Sequence, residues 1–441
     1  MADSRKRVAV VGGGWAGCAA AVDLAGAGCA VTLFEAARTL GGRARGVEFH
    51  GQMLDNGQHI LLGAYSDTMR LLRRVGVDPK SALLNLPLQM RYPDGSGGMD
   101  FVAARLPAPL HLAVALLRAQ GLATADKLSL ARFSTTARWM GWQLNTDCSV
   151  TELLERFDQT PRLVQLMWRP LCLAALNTPP ERASAQVFLA VLRDSLGAGR
   201  TASDMLLPRL DLHTLFPLAA SRFIETHGGD VRCGARVGAI AQDGGGWRVD
   251  GAHFDAVVVA TPPPAAATLL AALPLAAISA RLAAFAYEPI TTCYLQYPAA
   301  TRLDLPFYAL LDEPAAGRWG QFVFDRGQLD AAQAGLCSVV VSASADAAAL
   351  DQADLARAIA AQLAAVFGRP ALAEPAWTQV ITEKRATFSC TPGLQRLATA
   401  TALAGLVLAG DYVESDYPAT LESAVRSGAA AARAILAPAG A

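Results

Sequence analysis

The sequence predicts an α/β fold of two interleaved domains, one built on a parallel sheet and the other on a mixed sheet with a helical cap. Three observations lead there. Residues 7–35, RVAVVGGGWAGCAAAVDLAGAGCAVTLFE, read as strand, glycine turn, helix, strand and closing acid. Runs suited to buried parallel strands return far down the chain, FDAVVVA at 254–260 and LVLA at 406–409. A chain of 441 residues exceeds one ordinary core. Together they assign residues 1–65, 223–265 and 396–441 to the first domain and 66–222 and 266–395 to the second.

The first stretch is the most specific. Residues 8–11 are a short, mostly β-branched run, and Gly12, Gly14 and Gly17 follow it in G-x-G-x-x-G spacing. Gly12 permits the tight turn, Gly14 lets a diphosphate approach the main chain, and Gly17 lets the helix lie against the strand. The helix turns its unpaired N–H groups and positive dipole end toward the diphosphate, so no lysine is required. Glu35 stands at about the 20-residue spacing at which a carboxylate accepts the ribose hydroxyls of an adenosine and repels a 2′-phosphate. This is a Rossmann-like dinucleotide site with Gly12, Gly14, Trp15, Ala16, Gly17, Glu35 and Ala36 as candidate contacts. A bacterial lipoprotein signal, imitated by Arg5, Lys6, Arg7 and the Ala16, Gly17, Cys18 triplet, is rejected because Asp23 and the glycines interrupt the apolar run.

After the second strand, AARTLGGRAR at 36–45 is a glycine loop in which Gly42 admits a pyrophosphate and Arg43 neutralises it. The segment MLDNGQHILLG at 53–63 crowds Asp, Asn, Gln and His between apolar flanks, and so polar a cluster needs partners if buried. His59 reads either as a satisfied structural histidine or as a chemical participant. Residues 66–222 carry helical patterning, starting with Met69, Leu71, Leu72 and Val75 on one face, and form the expected cap. Within it LPAPLHLAVALL at 106–117 suits either a short interfacial helix or a buried one. Residues 168–215 alternate prolines, aromatics and small side chains, which line a tunnel or pack.

The chain returns to the first domain near Gly228, with a strand expected at 230–237, a hairpin turn at 243–246 and a buried strand at 254–260 stopped by Thr261 and three prolines. The glycine run 244–246 lacks a following helix and is no second nucleotide site. Strands at 290–297, 321–324 and 336–342, with an amphipathic helix carrying Leu355, Ile359, Leu363 and Val366, supply the second sheet. Gly410 and Asp411 follow the last strand, and a helix is expected from Pro418.

Formal charge is balanced, 38 Lys and Arg against 38 Asp and Glu, which argues against nucleic acid as a partner. With 53% hydrophobic and 17% charged residues, an apolar ligand or a membrane surface is the natural partner, although no run is long enough to span a bilayer. Eight scattered cysteines without a C-x-x-C pair or zinc spacing read as reduced core residues of a cytoplasmic protein, and no metal is expected. The alanine-rich tail ending APAGA is expected to fray.

With these motifs in place the sequence resembles the amine oxidase and carotenoid desaturase superfamily of FAD proteins, through VAVVGGGWAG, LGGRAR, LDNGQH and LAGDY. A closer resemblance, to the bacterial squalene-associated FAD-dependent desaturases known as hydroxysqualene dehydroxylases, is carried by LFEAARTLGGRAR, LDNGQHILLGAY, PATLESAVRSG and the block 170–217. It implies FAD as cofactor, with Glu35 on the ribose, Gly42 and Arg43 on the pyrophosphate, and Gly57, Gln58 and His59 beside the flavin ring. It further implies Val237 pairing with adenine through its main chain, Asp411 and Thr420 at the ribityl and ring ends, and Ala260, Gly410 and Ala419 among the contacts. The implied activity is reduction of hydroxysqualene to squalene with loss of water in squalene and hopanoid synthesis, served by an external electron donor. Contact with squalene-pathway synthases and a peripheral place on the inner face of the membrane go with it. His59 and Asp194 are the candidate acids for the departing hydroxyl. The rivals are a carotenoid-type desaturase, an amine oxidase, and a flavin-bound isoprenoid carrier without turnover. Cys18 and His213 stand where Leu and Ser are expected, the first as core packing and the second as a local change in the cap.

Overall fold

Five parallel strands form the first sheet of the computed structural model, in the order Asp230–Cys233, Ala30–Glu35, Arg7–Val11, Ala256–Val259 and Leu406–Leu408. Residues 5–438 are described, so the outermost tail residues, 439–441, lie outside them. The strand that opens the glycine turn is central, and the turn therefore sits mid-sheet between the ends of its two neighbours. Helix Trp15–Gly26 runs back over the sheet and is buried nearly all round, against helices Pro217–Thr226 and Leu421–Leu436. Small residues make that contact close: a Cβ on Gly428 of the last helix would fall 2.2 Å from the Ala16 carbonyl oxygen.

The expected strand at 254–260 is two, Ala252–Phe254 and Ala256–Val259, parted at Asp255. Its carboxylate accepts the Arg7 main-chain N–H at 2.6 Å, which ties the break to the first strand. Ala252–Phe254 closes an antiparallel meander with Ile240–Asp243 and Gly246–Val249, whose two-residue turn uses Gly244 and Gly245 at positive φ. The strand expected at 230–237 stops at Cys233, leaving Val237 in a loop.

The second sheet is antiparallel throughout, in the order Phe307–Ala309, Phe322–Asp325, Leu336–Ser342, Tyr287–Gln296 and Trp377–Phe388. Helix Gln352–Phe367 covers one face with Leu355, Ile359 and Leu363. Trp377–Phe388 is the longest strand, yet consecutive Glu383, Lys384 and Arg385 hide its alternation from a sequence reading.

The cap is less helical than its pattern suggests. Met205–Pro208 is a strand between Leu61–Leu62 and Leu83–Leu86, and helices Leu212–Leu215 and Pro217–Thr226 pack into the core of the parallel sheet. His213 accordingly meets Leu40 of the glycine loop, not the cap, with Nδ1 3.1 Å from the Leu40 carbonyl oxygen. Trp168 packs: its ring lies 4.6 Å from that of Phe133, and its Nε1–H donates to Gln159 Oε1 at 2.9 Å. Helix Leu110–Arg118 buries His111 and Ala115 while Leu110 and Leu117 point outward. Among the described residues no helix is long and apolar enough to cross a membrane. Seven of the eight cysteines are buried, and Cys233 is exposed.

Candidate functional site

The glycine turn is a cradle made almost wholly of main chain. Gly12 takes φ 109°, and a Cβ there would meet the Ala260 carbonyl oxygen at 2.6 Å. At Gly17 it would meet the Gly12 carbonyl oxygen at 1.8 Å, so helix and strand touch backbone to backbone. Gly14 differs: its φ of −70° suits any residue, and the nearest atom to an added Cβ is Gly42 Cα at 4.0 Å. The space beside Gly14 is therefore open. The first bond of the helix runs from Cys18 N–H to the Gly14 oxygen, which leaves the N–H groups of Trp15, Ala16 and Gly17 without partners in the helix. The Trp15 side chain is structural, its Nε1–H donating to Ala44 oxygen at 3.1 Å and its ring 5.1 Å from Phe216.

Glu35 ends its strand under this turn. One carboxylate oxygen accepts the Gly13 N–H and the other the Ala37 N–H, each at 2.7 Å, which fixes the group while leaving lone pairs for hydroxyls. Ala36, between Glu35 and Ala37, is exposed. Across the sheet the main chain of Val237 makes no hydrogen bond with any described residue. Thr261 Oγ1, Tyr287 OH and Tyr412 OH are buried without partners, Thr261 just past the strand that carries Ala260 and Tyr412 beside Asp411. An open cradle, idle helix N–H groups and orphaned polar atoms at the strand ends are what a dinucleotide would complete.

Gly42, at φ 61°, approaches Gly14 so closely that a Cβ would lie 3.2 Å from its Cα. Arg43 beside it is spoken for: its guanidinium donates to the Ala386 oxygen at 2.6 Å and to Asp411 Oδ1 at 2.7 Å. Burial pulls its pKa down, but Asp411 outweighs this and holds it above the usual value. The two side chains expected on neighbouring parts of the cofactor, the pyrophosphate and the ribityl, thus pair with each other. Gly410 takes φ 154°, and its N–H donates to Ser427 Oγ of the last helix at 2.8 Å. That helix spans Leu421–Leu436, not from Pro418, because Thr420 caps it by accepting the Ser423 N–H. Ala419 and Thr420 thus precede the helix, and its idle N–H groups belong to Leu421 and Glu422.

Segment 55–59 finds partners on both domains. Asp55 accepts the Leu212 N–H at 2.7 Å and faces Arg326 at 4.0 Å; burial, only partly opposed by Arg326, pushes its pKa up to about 6. Asn56 donates to the Arg43 oxygen and to Glu383. Gln58 Oε1 accepts from Arg326 Nη1 at 3.0 Å and from Ser338 Oγ at 3.1 Å. The Gly57 oxygen accepts from His59 Nδ1 at 2.7 Å.

Neither candidate acid has the form a proton donor needs. A carbonyl oxygen only accepts, so His59 carries its proton on Nδ1 and its free Nε2 is an acceptor. Burial, joined by Arg43, lowers its pKa and keeps it neutral. Asp194 would be raised by burial, but hydrogen bonds from Arg193 at 2.6 Å and Tyr417 OH at 2.8 Å outweigh that and hold it below the usual range. It is an ionised tie between helix Ala185–Ser195 and the loop before the last helix. A sequence reading also misses Glu422, fully buried, whose carboxylate accepts the Asp67 and Thr68 N–H groups and so joins the last helix to helix Ser66–Arg74. Its only signal in sequence is an acid in the first turn of a helix, which ordinarily means solvent.

A profile described as "Flavin containing amine oxidoreductase" matches residues 15–436. The chain is 31% identical to "Hydroxysqualene dehydroxylase" of Rhodopseudomonas palustris over 98% of this chain and 99% of that one. It is 29% identical to the protein of the same name from Sinorhizobium fredii, over 97% of each. Among solved structures, cyclohexylamine oxidase from Brevibacterium oxydans has the same fold, with a TM-score of 0.69 at 18% identity over 98% of each chain.

Proposed function

We propose, since this chain belongs to the flavin-containing amine oxidoreductases and within them to the hydroxysqualene dehydroxylases, that it reduces hydroxysqualene to squalene. It is an FAD-dependent oxidoreductase. The observation that carries the reading is the continuity of the similarity, which spans nearly the whole chain and so takes in both the cradle and the block 170–217. The reaction exchanges a C–O bond for a C–H bond, consuming a hydride equivalent and a proton and releasing water. When bound, FAD supplies the hydride equivalent.

The chain's own residues bind and orient. Glu35 would hold the adenosine ribose, Val237 the adenine edge, and the N–H groups of Trp15, Ala16 and Gly17 the diphosphate, with Gly12, Gly14, Ala36, Gly42 and Ala260 shaping its approach. Arg43 and Asp411 would meet the pyrophosphate and ribityl as a preformed ion pair, beside Gly410. Gly57, Gln58 and His59 would flank the ring, and Ala419 and Thr420 would lead to a helix end whose dipole favours negative charge there. His59 offers an acceptor and Asp194 a positioning tie, so the proton that leaves with the hydroxyl enters from elsewhere.

An external donor would reduce the protein, and an apolar substrate implies delivery from a bilayer, with the protein peripheral on the inner face and close to the synthases that make the substrate. The test is anaerobic incubation of photoreduced protein with hydroxysqualene and identification of the product. Squalene in one equivalent supports the reading; a more desaturated product from oxidised protein would make the chain a carotenoid-type desaturase, and binding without turnover would make it a carrier.

A further inference from the structure

Half of the ten exposed large apolar side chains among the described residues fall within residues 106–139: Leu106, Leu110, Leu117, Leu128 and Trp139. Leu117 is 75% exposed and Trp139 85%, too much for side chains at the margin of a core. Four of the five lie on two helices that touch. Leu110 and Leu117 are seven residues apart on helix Leu110–Arg118, and Leu128 and Trp139 eleven apart on helix Thr124–Trp139, so each pair shares a helix face. Lys127 Nζ donates to the Leu117 oxygen at 2.9 Å and holds the end of the first helix against the start of the second.

The charge exposed within residues 105–139 has one sign. Arg105, Arg118, Arg132 and Arg138 are exposed and make no ion pair or hydrogen bond with any described residue, whereas the one acid of the stretch, Asp126, is buried and spent on the Ala123 N–H and Thr160 Oγ1. Exposed leucines, an indole at the helix end and unpaired arginines around them match the interface of an anionic bilayer, where apolar side chains enter the acyl boundary and guanidinium groups stay among the headgroups. Neither helix is long enough to go further.

We infer that helices Leu110–Arg118 and Thr124–Trp139 form a docking platform for an anionic lipid surface. The inference rests on the dehydroxylase reading only for why a bilayer would be visited. The test is flotation of the FAD-loaded protein with vesicles of equimolar phosphatidylglycerol and phosphatidylcholine, and with phosphatidylcholine alone. The protein should float with the anionic vesicles and at least about tenfold less with neutral ones, as expected for attraction of basic side chains to anionic lipid. Leu117→Glu with Leu128→Glu and Trp139→Glu should abolish flotation, and Arg118→Gln with Arg132→Gln and Arg138→Gln should remove the preference for anionic lipid. FAD retention checks the fold of both variants, and both should turn over detergent-dispersed substrate at the wild-type rate. Failure of the wild type to float, flotation of both variants like the wild type, or capture of the platform by a synthase in the absence of lipid would overturn the inference. Loss of turnover on dispersed substrate in the wild type would instead sink the dehydroxylase reading and leave flotation standing.

Discussion

Two regions flank the proposed cofactor and are built in opposite ways. The cradle at residues 12–17 recognises with main chain, and its side chains matter by being absent. The segment 55–59 works with side chains, three of them held by residues far off in sequence: Asp55 by Leu212 and Arg326, Asn56 by Glu383, Gln58 by Ser338. A main-chain site tolerates change wherever a side chain has room, and fails wherever one intrudes. A side-chain network fails by leaving a buried partner unsatisfied.

The largest effect should come from the cradle. Gly14→Val places a branched side chain in the open space beside Gly42, meets no protein atom closer than ordinary contact at Cβ, and needs no unusual φ. The protein should fold, melt near the wild type and contain no FAD by absorbance after gel filtration. Gly17→Val, whose Cβ would lie 1.8 Å from the Gly12 oxygen, should not yield folded protein at all. A Gly14→Val protein that retains its yellow colour would break the contrast between the two regions.

In the side-chain region the leading effect is on stability against pH. Burial raises the Asp55 pKa from an ordinary 3.8 to about 6 in the folded protein. As pH rises through that interval the unfolded chain releases the proton first, so the folded state loses stability, by about 3 kcal/mol at roughly 1.4 kcal/mol per pH unit. Asp55→Asn keeps an oxygen for the Leu212 N–H and cannot titrate. The difference in unfolding free energy between wild type and variant should therefore move against the wild type between pH 4 and 6, measured by denaturant titration of the FAD-loaded proteins. A difference that stays flat across the interval would mean Asp55 is ionised throughout.

Glu35 joins both modes, a side chain that serves the main chain. Glu35→Ala removes a carboxylate that holds the Gly13 and Ala37 N–H groups and would hold a ribose, and charge-assisted bonds of this kind contribute about 1.5 to 3 kcal/mol. FAD should bind roughly 10- to 150-fold more weakly by fluorescence titration. Unchanged affinity would remove Glu35 from the site.

The same division decides what could be read before the structure. The parallel sheet, the glycine turn and Glu35 were legible because spacing along the chain encodes them: a strand, a turn with no side chains and an acid at a set distance. The strand Trp377–Phe388 was not, because Glu383, Lys384 and Arg385 in succession break its alternation. The start of the last helix was misplaced by three residues because Pro418 is a stronger signal in sequence than the Thr420 cap that the structure uses. The pairing of Arg43 with Asp411 joins residues from opposite ends of the chain, and no local pattern announces it. The acid roles are illegible for the same reason, since whether a histidine or aspartate carries a proton depends on partners that spacing does not reveal.

His59 gives the smallest and sharpest test of that point. Its Nδ1–H is committed to the Gly57 oxygen, and burial with Arg43 nearby keeps the ring neutral, so at pH 7 it has no proton to give a departing hydroxyl. His59→Phe keeps a ring of similar size and removes the Nε2 acceptor together with the Nδ1–H donated to the Gly57 oxygen. Single-turnover formation of squalene by the photoreduced variant should stay within about tenfold of the wild type, where loss of a general acid would cost roughly 100-fold or more. A second readout is independent of turnover. Because the folded pKa lies below the unfolded 6.5, the unfolded chain takes up the proton first as pH falls, and the apoprotein loses stability below about pH 6.5 in proportion to the shift. The variant should lack that component of acid sensitivity. Hundredfold slower turnover with an unchanged acid profile would return the donor's role to His59.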